Sequence, residues 1–230
     1  MERLDLGHNR IETIPESIGR LQRLSELTLQ NNSIVALSQE VTRLMLLKKI
    51  DVEHNPVAMS LSWHGVDPAG AVRIFRFMGG LIELDISDGR FENVNEVMLA
   101  LPRLQKLNVS NNLIRAVLGT DGNHVRELDV SNNPGMTLIE WIHASLDSIK
   151  VNGLSALIHL RLENNQLQSI DVNHLTALSH LNLGDNQIQY IDLNRSTALV
   201  HLSLYNNKLQ LIGVIHLTAL TYLDLSLIHI

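Results

Sequence analysis

The chain has 230 residues, of which 45% are hydrophobic but only 3% aromatic, and its formal charge is −6. A core of that kind needs aliphatic side chains stacked in a regular lattice, and the acidic balance argues against general nucleic-acid binding and against adhesion to anionic membranes. With no cysteine, neither a disulfide framework nor a Cys-based zinc site is available.

Met1-Glu-Arg-Leu4-Asp5 carries no signal-peptide apolar block, and no apolar run reaches the length of a membrane span. No membrane insertion is expected, and together with the missing cysteines this leans towards a cytoplasmic setting. From Leu4 onward one phrase recurs: an apolar residue, two variable residues, Leu, one variable, an apolar residue, two variable, Asn. It reads Leu24-Ser-Glu-Leu27-Thr-Leu29-Gln-Asn-Asn32, then Leu104-Gln-Lys-Leu107-Asn-Val109-Ser-Asn-Asn112, then Leu157-Ile-His-Leu160-Arg-Leu162-Glu-Asn-Asn165. The last position falls at Asn9, Asn32, Asn55, Gly89, Asn112, Asn133, Asn165, Asn186 and Asn207, and a further strand follows at Leu223 and Leu225.

This phrase resembles the leucine-rich-repeat family, and the resemblance covers essentially the whole chain. It implies an α/β solenoid of about ten repeats over residues 1–224, curved, with a parallel sheet on its concave face and short helices or turns on the convex side. Within each Leu-x-Leu strand, inward residues alternate with outward ones, and stacked strands lie about 4.8 Å apart. The Asn amide donates to and accepts from backbone groups that no ladder satisfies. Each unit buries its apolar face only against its neighbours. Ile11-Glu-Thr-Ile14-Pro15-Glu-Ser-Ile18-Gly-Arg-Leu21 is similar to the intracellular Ras-scaffold class. Leu167-Gln-Ser-Ile170-Asp-Val172-Asn-His-Leu175-Thr-Ala-Leu178 is similar to compact bacterial repeats of 21 residues.

Two gaps, of 34 and 32 residues, break the phase. Each equals a normal repeat plus eleven, begins with Asn-Pro (Asn55-Pro56, Asn133-Pro134) and carries a Trp eight residues on, Trp63 and Trp141. Enlarged convex segments are expected around 56–80 and 134–145. In the first, Pro68 and Gly79-Gly80 bracket a helical run with Val72, Phe75 and Met78 on one face. The tryptophans pack such loops onto the solenoid or form a second contact surface, and packing is the commoner role of a buried aromatic.

On the expected concave face the outward positions include Asp51, Glu53, Asp85, Asp88, Asp129, Glu163 and Asp185, with Arg161 as the one outward base within the Leu-x-Leu-x-x columns. Either this face receives a protein partner with a basic surface, or the acids are generic solubilising choices. His159, His180 and His201 share one column, continued by Tyr222, with Tyr205 beside them. Aromatic residues are over-represented among energetic hot spots, which makes these the expected contact anchors. A flat histidine row is a poor tetrahedral cage, so no metal ligand set and no cofactor are expected.

No phosphate loop, nucleophile elbow or H-E-x-x-H pair is present, and the carboxylates are spread along a sheet. The chain reads as a non-enzymatic protein-interaction module, a signalling scaffold or regulatory subunit. The alternatives are an exported bacterial or host-facing recognition protein, with acceptor-like Asn31-Asn-Ser33, Asn108-Val-Ser110 and Asn194-Arg-Ser196, and a non-catalytic fragment of a larger repeat-containing enzyme. Residues 225–230, Leu-Ser-Leu-Ile-His-Ile, match the translation of a transposase sequencing adapter and are expected to be non-native.

Overall fold

The structure is a computed structural model that describes residues 1–34, 37–55, 81–88, 91–95, 101–119, 123–210 and 212–228. It forms two compact units, Met1–Asn112 and Leu113–Ile230. The gap containing Trp63 and the expected helix of 68–80 lies outside the described residues, as does Gly89.

In the first unit five three-residue strands pair in parallel and in chain order: β1 (Arg3–Asp5), β2 (Glu26–Thr28), β3 (Lys49–Asp51), β4 (Glu83–Asp85) and β5 (Lys106–Asn108). Their central residues, Leu4, Leu27, Ile50, Leu84 and Leu107, are in register, and the last four are buried. Two 3₁₀ segments, Glu16–Arg20 and Gln39–Arg43, lie on the return side, and Asn95 is helical. Pro15 precedes the first, and Ser38 caps the second by accepting from the Glu40 amide. A five-residue segment is too short to propagate an α-helix.

The second unit holds two sets of strands. β6 (Ala116–Leu118), β8 (Leu138–Glu140), β10 (His159–Arg161), β11 (His180–Asn182), β12 (His201–Ser203) and β13 (Tyr222–Asp224) form one parallel series. β7 (Glu127–Asp129) pairs with β9 (Ser148–Lys150). β6, β7 and β8 thus each pair with the next strand but one, so each coil there carries two strands half a turn apart. From β10 onward consecutive strands pair. Ile170, Val172, Ile191 and Leu193 keep the half-turn position buried without strand pairing. The return segments close in single turns, as in Leu178 N–H to Leu175 C=O at 3.1 Å and Leu199 N–H to Ser196 C=O at 3.1 Å.

This arrangement corrects the expectation for residues 134–145. The interval from Asn133 to Asn165 is not an enlarged convex loop: it contains β8 and β9, and the recurring phrase passes from one strand set to the other. Trp141 takes the inward position that Leu162, Leu183 and Leu204 hold on later coils, and it is fully buried. Its ring fits because position 119 is glycine, where a Cβ would come within 2.7 Å of Trp141 Cδ2. The first gap differs, since β3 pairs directly with β4.

Seven of the eight expected ladder asparagines, all but Asn9, bond to the backbone of a neighbouring coil. Asn32 Oδ1 accepts from Ile11 N–H at 2.9 Å, while Nδ2 donates to the carbonyls of Leu6, Leu29 and Gln30. Asn55 and Asn112 repeat the pattern with Ile34 and Phe91. Asn133 accepts from Ile114 N–H. Asn165, Asn186 and Asn207 accept from Leu146, Leu167 and Ile188. All seven are buried. Asn9 is exposed and donates only within its own coil, to Leu6 and Gly7 carbonyls.

Candidate functional site

The outward residues of the strands line up in columns because every pair is in register. In the first unit the column before the central residue runs Arg3, Glu26, Lys49, Glu83, Lys106. Arg3 Nε lies 3.4 Å from Glu26 and Lys49 Nζ 2.9 Å from Glu83. This column lies ahead of the Leu-x-Leu-x-x positions, and alternating charges run down it. Such exposed pairs are worth little individually, but they leave little net charge for a partner to read.

The next column holds Asp5, Thr28, Asp51, Asp85 and Asn108. Asp51 and Asp85 are direct neighbours. Burial, and then the Asp85 charge, push the Asp51 carboxyl above its ordinary value. Burial and the surrounding acids Asp85, Asp51 and Asp88 do the same to Glu53. Asp129, on β7, ion-pairs with Lys150 of β9 at 3.0 Å.

The other expected contact residues come together on β10–β13. His159, His180, His201 and Tyr222 are register partners. Their rings stand in a file with centroids 4.5, 5.9 and 4.2 Å apart, the last two pairs stacked. Parallel strands at about 4.8 Å impose this spacing. Ser179 Oγ lies 2.7 Å from His180 Nδ1. Burial, and then the neighbouring His180, lower the His201 imidazole below its ordinary value. His159, His180 and His201 line a groove of about 300 Å³ with Arg161, Leu181 and Asn182.

Arg161 bridges two carboxylates, Glu140 at 3.3 Å and Glu163 at 2.6 Å. Glu163 is only 6% exposed, and its Oε2 has no hydrogen-bond partner among the described residues. It is thus covered, where the sequence pattern had it outward. Tyr205 lies over Gly184, where a Cβ would overlap the ring. Burial, then Asp185, raise the Tyr205 hydroxyl to about 12, so it remains a proton donor. Asn206 Nδ2 donates to Asp185 at 2.6 Å.

The sequence thus placed on one face residues that the structure divides. Asp51, Glu53, Asp85 and Asp88 belong to the first unit. His159, Arg161, Glu163, His180, Asp185, His201, Tyr205 and Tyr222 share the β10–β13 surface, and Asp129 sits on the other strand pair of that unit. Glu140, which shares Arg161, was missed because its strand lies inside the interval read as a loop. The Ile139-Glu-Trp141 alternation was the available signal.

Residues 1–57 match the family described as Leucine rich repeat. Comparison with curated proteins finds no match. Among solved structures the chain is similar to the functional domain of InlJ from Listeria monocytogenes, at 19% identity and TM-score 0.45, covering 98% of this chain and 53% of that one. It is also similar to a leucine-rich-repeat protein of Leptospira interrogans, at 23% identity and TM-score 0.47, covering 99% and 61%. TLR13 in a TLR13–ssRNA13 complex gives 20% identity and TM-score 0.43, covering 99% and 33%. The chain spans less than two thirds of the length of each of these three. No helix among the described residues is long and apolar enough to cross a membrane.

Proposed function

Because the chain is a leucine-rich-repeat protein, we propose that it works by binding a protein partner, and that the outer surface of β10–β13 is the contact face. The observation that carries this reading is the file of His159, His180, His201 and Tyr222 beside a groove. Tyr222 is exposed and the three imidazoles half-exposed. Rigid, amphipathic rings held by a sheet lose little entropy on binding, and tyrosine and arginine are over-represented among hot spots. Neutral imidazole edges offer both a donor and an acceptor.

Asp185 and Asp224 flank the file and suit basic groups on the partner. The same carboxylates, with the overall charge of −6, oppose phosphate backbones and favour a protein over a nucleic acid. An open groove on a sheet suits binding rather than turnover, which uses groups gathered in a water-excluding pocket. The self-neutralising ion pairs of the first unit make its face the weaker candidate.

The test is co-purification from an extract of the source organism with three baits. Wild-type chain and Asp51→Asn/Asp85→Asn should retain the same partner, and His159→Ala/His180→Ala/His201→Ala should lose it. Retention by the triple variant, with loss from the double aspartate variant, would move the contact face to the first unit.

A further inference from the structure

We propose that Glu53, His54 and Asp88 bind one divalent first-row transition ion, such as Zn²⁺, with water completing its shell. The ring of His54 lies between two carboxylates, Nε2 being 3.3 Å from Glu53 Oε1 and Nδ1 3.7 Å from Asp88 Oδ2. One donor atom from each residue can be chosen so that all lie within 4.8 Å of one another. Zinc bonds to imidazole nitrogen and carboxylate oxygen of about 2.0–2.2 Å place tetrahedral donors roughly 3.4 Å apart. Small side-chain rotations close that difference, turning a single ring nitrogen to the ion.

The backbone that carries these groups is fixed. His54 immediately precedes ladder residue Asn55, and Asp88 holds the equivalent position on the next coil. Both are left-handed, with φ of 52° and 55°. Glu53 C=O accepts from Asn31 N–H at 2.9 Å, and Asp88 N–H donates to Ser110 C=O at 3.0 Å. The ligands therefore sit on adjacent coils, whose spacing is set by ladder and strands.

The surrounding acids favour a cation and are themselves largely engaged. Asp51 Oδ1 accepts from Glu53 N–H at 3.0 Å. Asp85 Oδ1 accepts from the Ser87 amide and hydroxyl, and its Oδ2 from Asn108. Lys49, the cation on β3, is committed to Glu83. Glu53 and Asp88 thus face His54 with the carboxylates of Asp51 and Asp85 close by. The imidazole ligand favours zinc and other late first-row ions over magnesium and calcium. The site is separate from the β10–β13 face, so either assignment can fail alone.

Calorimetric titration of the chelator-treated full chain with Zn²⁺ at pH 7 tests it. One equivalent should bind, unaffected by excess Mg²⁺. His54→Asn and Asp88→Asn should each weaken binding at least about tenfold. Asparagine preserves the fold there, because Asn31 and Asn111 occupy the same column with φ of 53° and 54°. His159→Ala/His180→Ala/His201→Ala should leave the affinity unchanged. Absence of a bound equivalent, equal competition by Mg²⁺, indifference to His54→Asn, or loss in the triple variant would each overturn the proposal. The first and third of these outcomes would leave His54 as a bridge between two carboxylates.

Discussion

Trp141 and Leu162 are equivalent residues on successive coils, and the ladder treats them alike. Asn165 Nδ2 donates to the Trp141 carbonyl at 2.6 Å, and Asn186 Nδ2 to the Leu162 carbonyl at 2.8 Å. The indole therefore occupies a strand position in the interior, with Gly119 beneath it. Trp141→Ala should leave a cavity no neighbour can fill. A loss of about 3–5 kcal/mol is expected in denaturant unfolding followed by a probe in the second unit. Gly119→Ala should cost less, about 1–3 kcal/mol, by pressing a methyl group against the ring. A Trp141→Ala protein as stable as wild type would remove the indole from the core.

The ladder predicts a contrast between two substitutions of the same residue type. Asn186→Ala strands the buried Leu167 amide and withdraws a donor from the Leu162, Leu183 and Gly184 carbonyls. Unsatisfied buried groups cost about 1–3 kcal/mol each, so a loss of at least about 2 kcal/mol is expected. Asn9→Ala removes two exposed bonds and should cost under about 1 kcal/mol. Equal effects, measured by urea unfolding, would mean that the ladder contributes no more than surface bonds do.

Charge on the first unit should respond to pH in one direction. The Asp51 carboxyl is raised in the folded chain, so the fold takes up its proton more readily than the unfolded chain does. Its ionisation therefore disfavours folding above the folded-state value, and the penalty disappears as pH falls below the unfolded-state value. Asp51→Asn keeps the turn, since Asn108 and Asn182 make the same bond to the residue two positions on. The half-exposed position limits the gain to about 2 °C in Tm at pH 7, fading towards pH 3. A gain that grew on acidification would contradict this electrostatic origin.

His201 carries the opposite dependence. Its imidazole is lowered by burial and by His180, so the unfolded chain binds that proton more readily. The contribution is complete above the ordinary histidine range and is lost as pH falls through the folded-state value. Between pH 7 and 5 the wild type should lose more stability than His201→Gln does. Parallel pH profiles for the two proteins would show that the file tolerates charge.

The repeat, its strands and the ladder were legible because each rests on local rules: alternation at period two, and an amide that can pair with three backbone groups. The half-turn change of phase was not. The intervals from Asn55 to Gly89 and from Asn133 to Asn165 exceed a repeat by the same amount, and spacing alone does not separate an insertion from a second strand in the same coil. Burial of Glu163 was also hidden, since it depends on Arg161 and on the neighbouring coil rather than on strand parity. The histidine file was legible as a column, but its ring stacking required the register.

The most direct test of recognition through β10–β13 is histidine carbethoxylation of the partner-bound chain, read by mass spectrometry. His159, His180 and His201 should lose reactivity in the complex, while the exposed His8, His174 and His216 react as in the free chain. Unchanged reactivity at all three file histidines in a saturated complex would contradict the account.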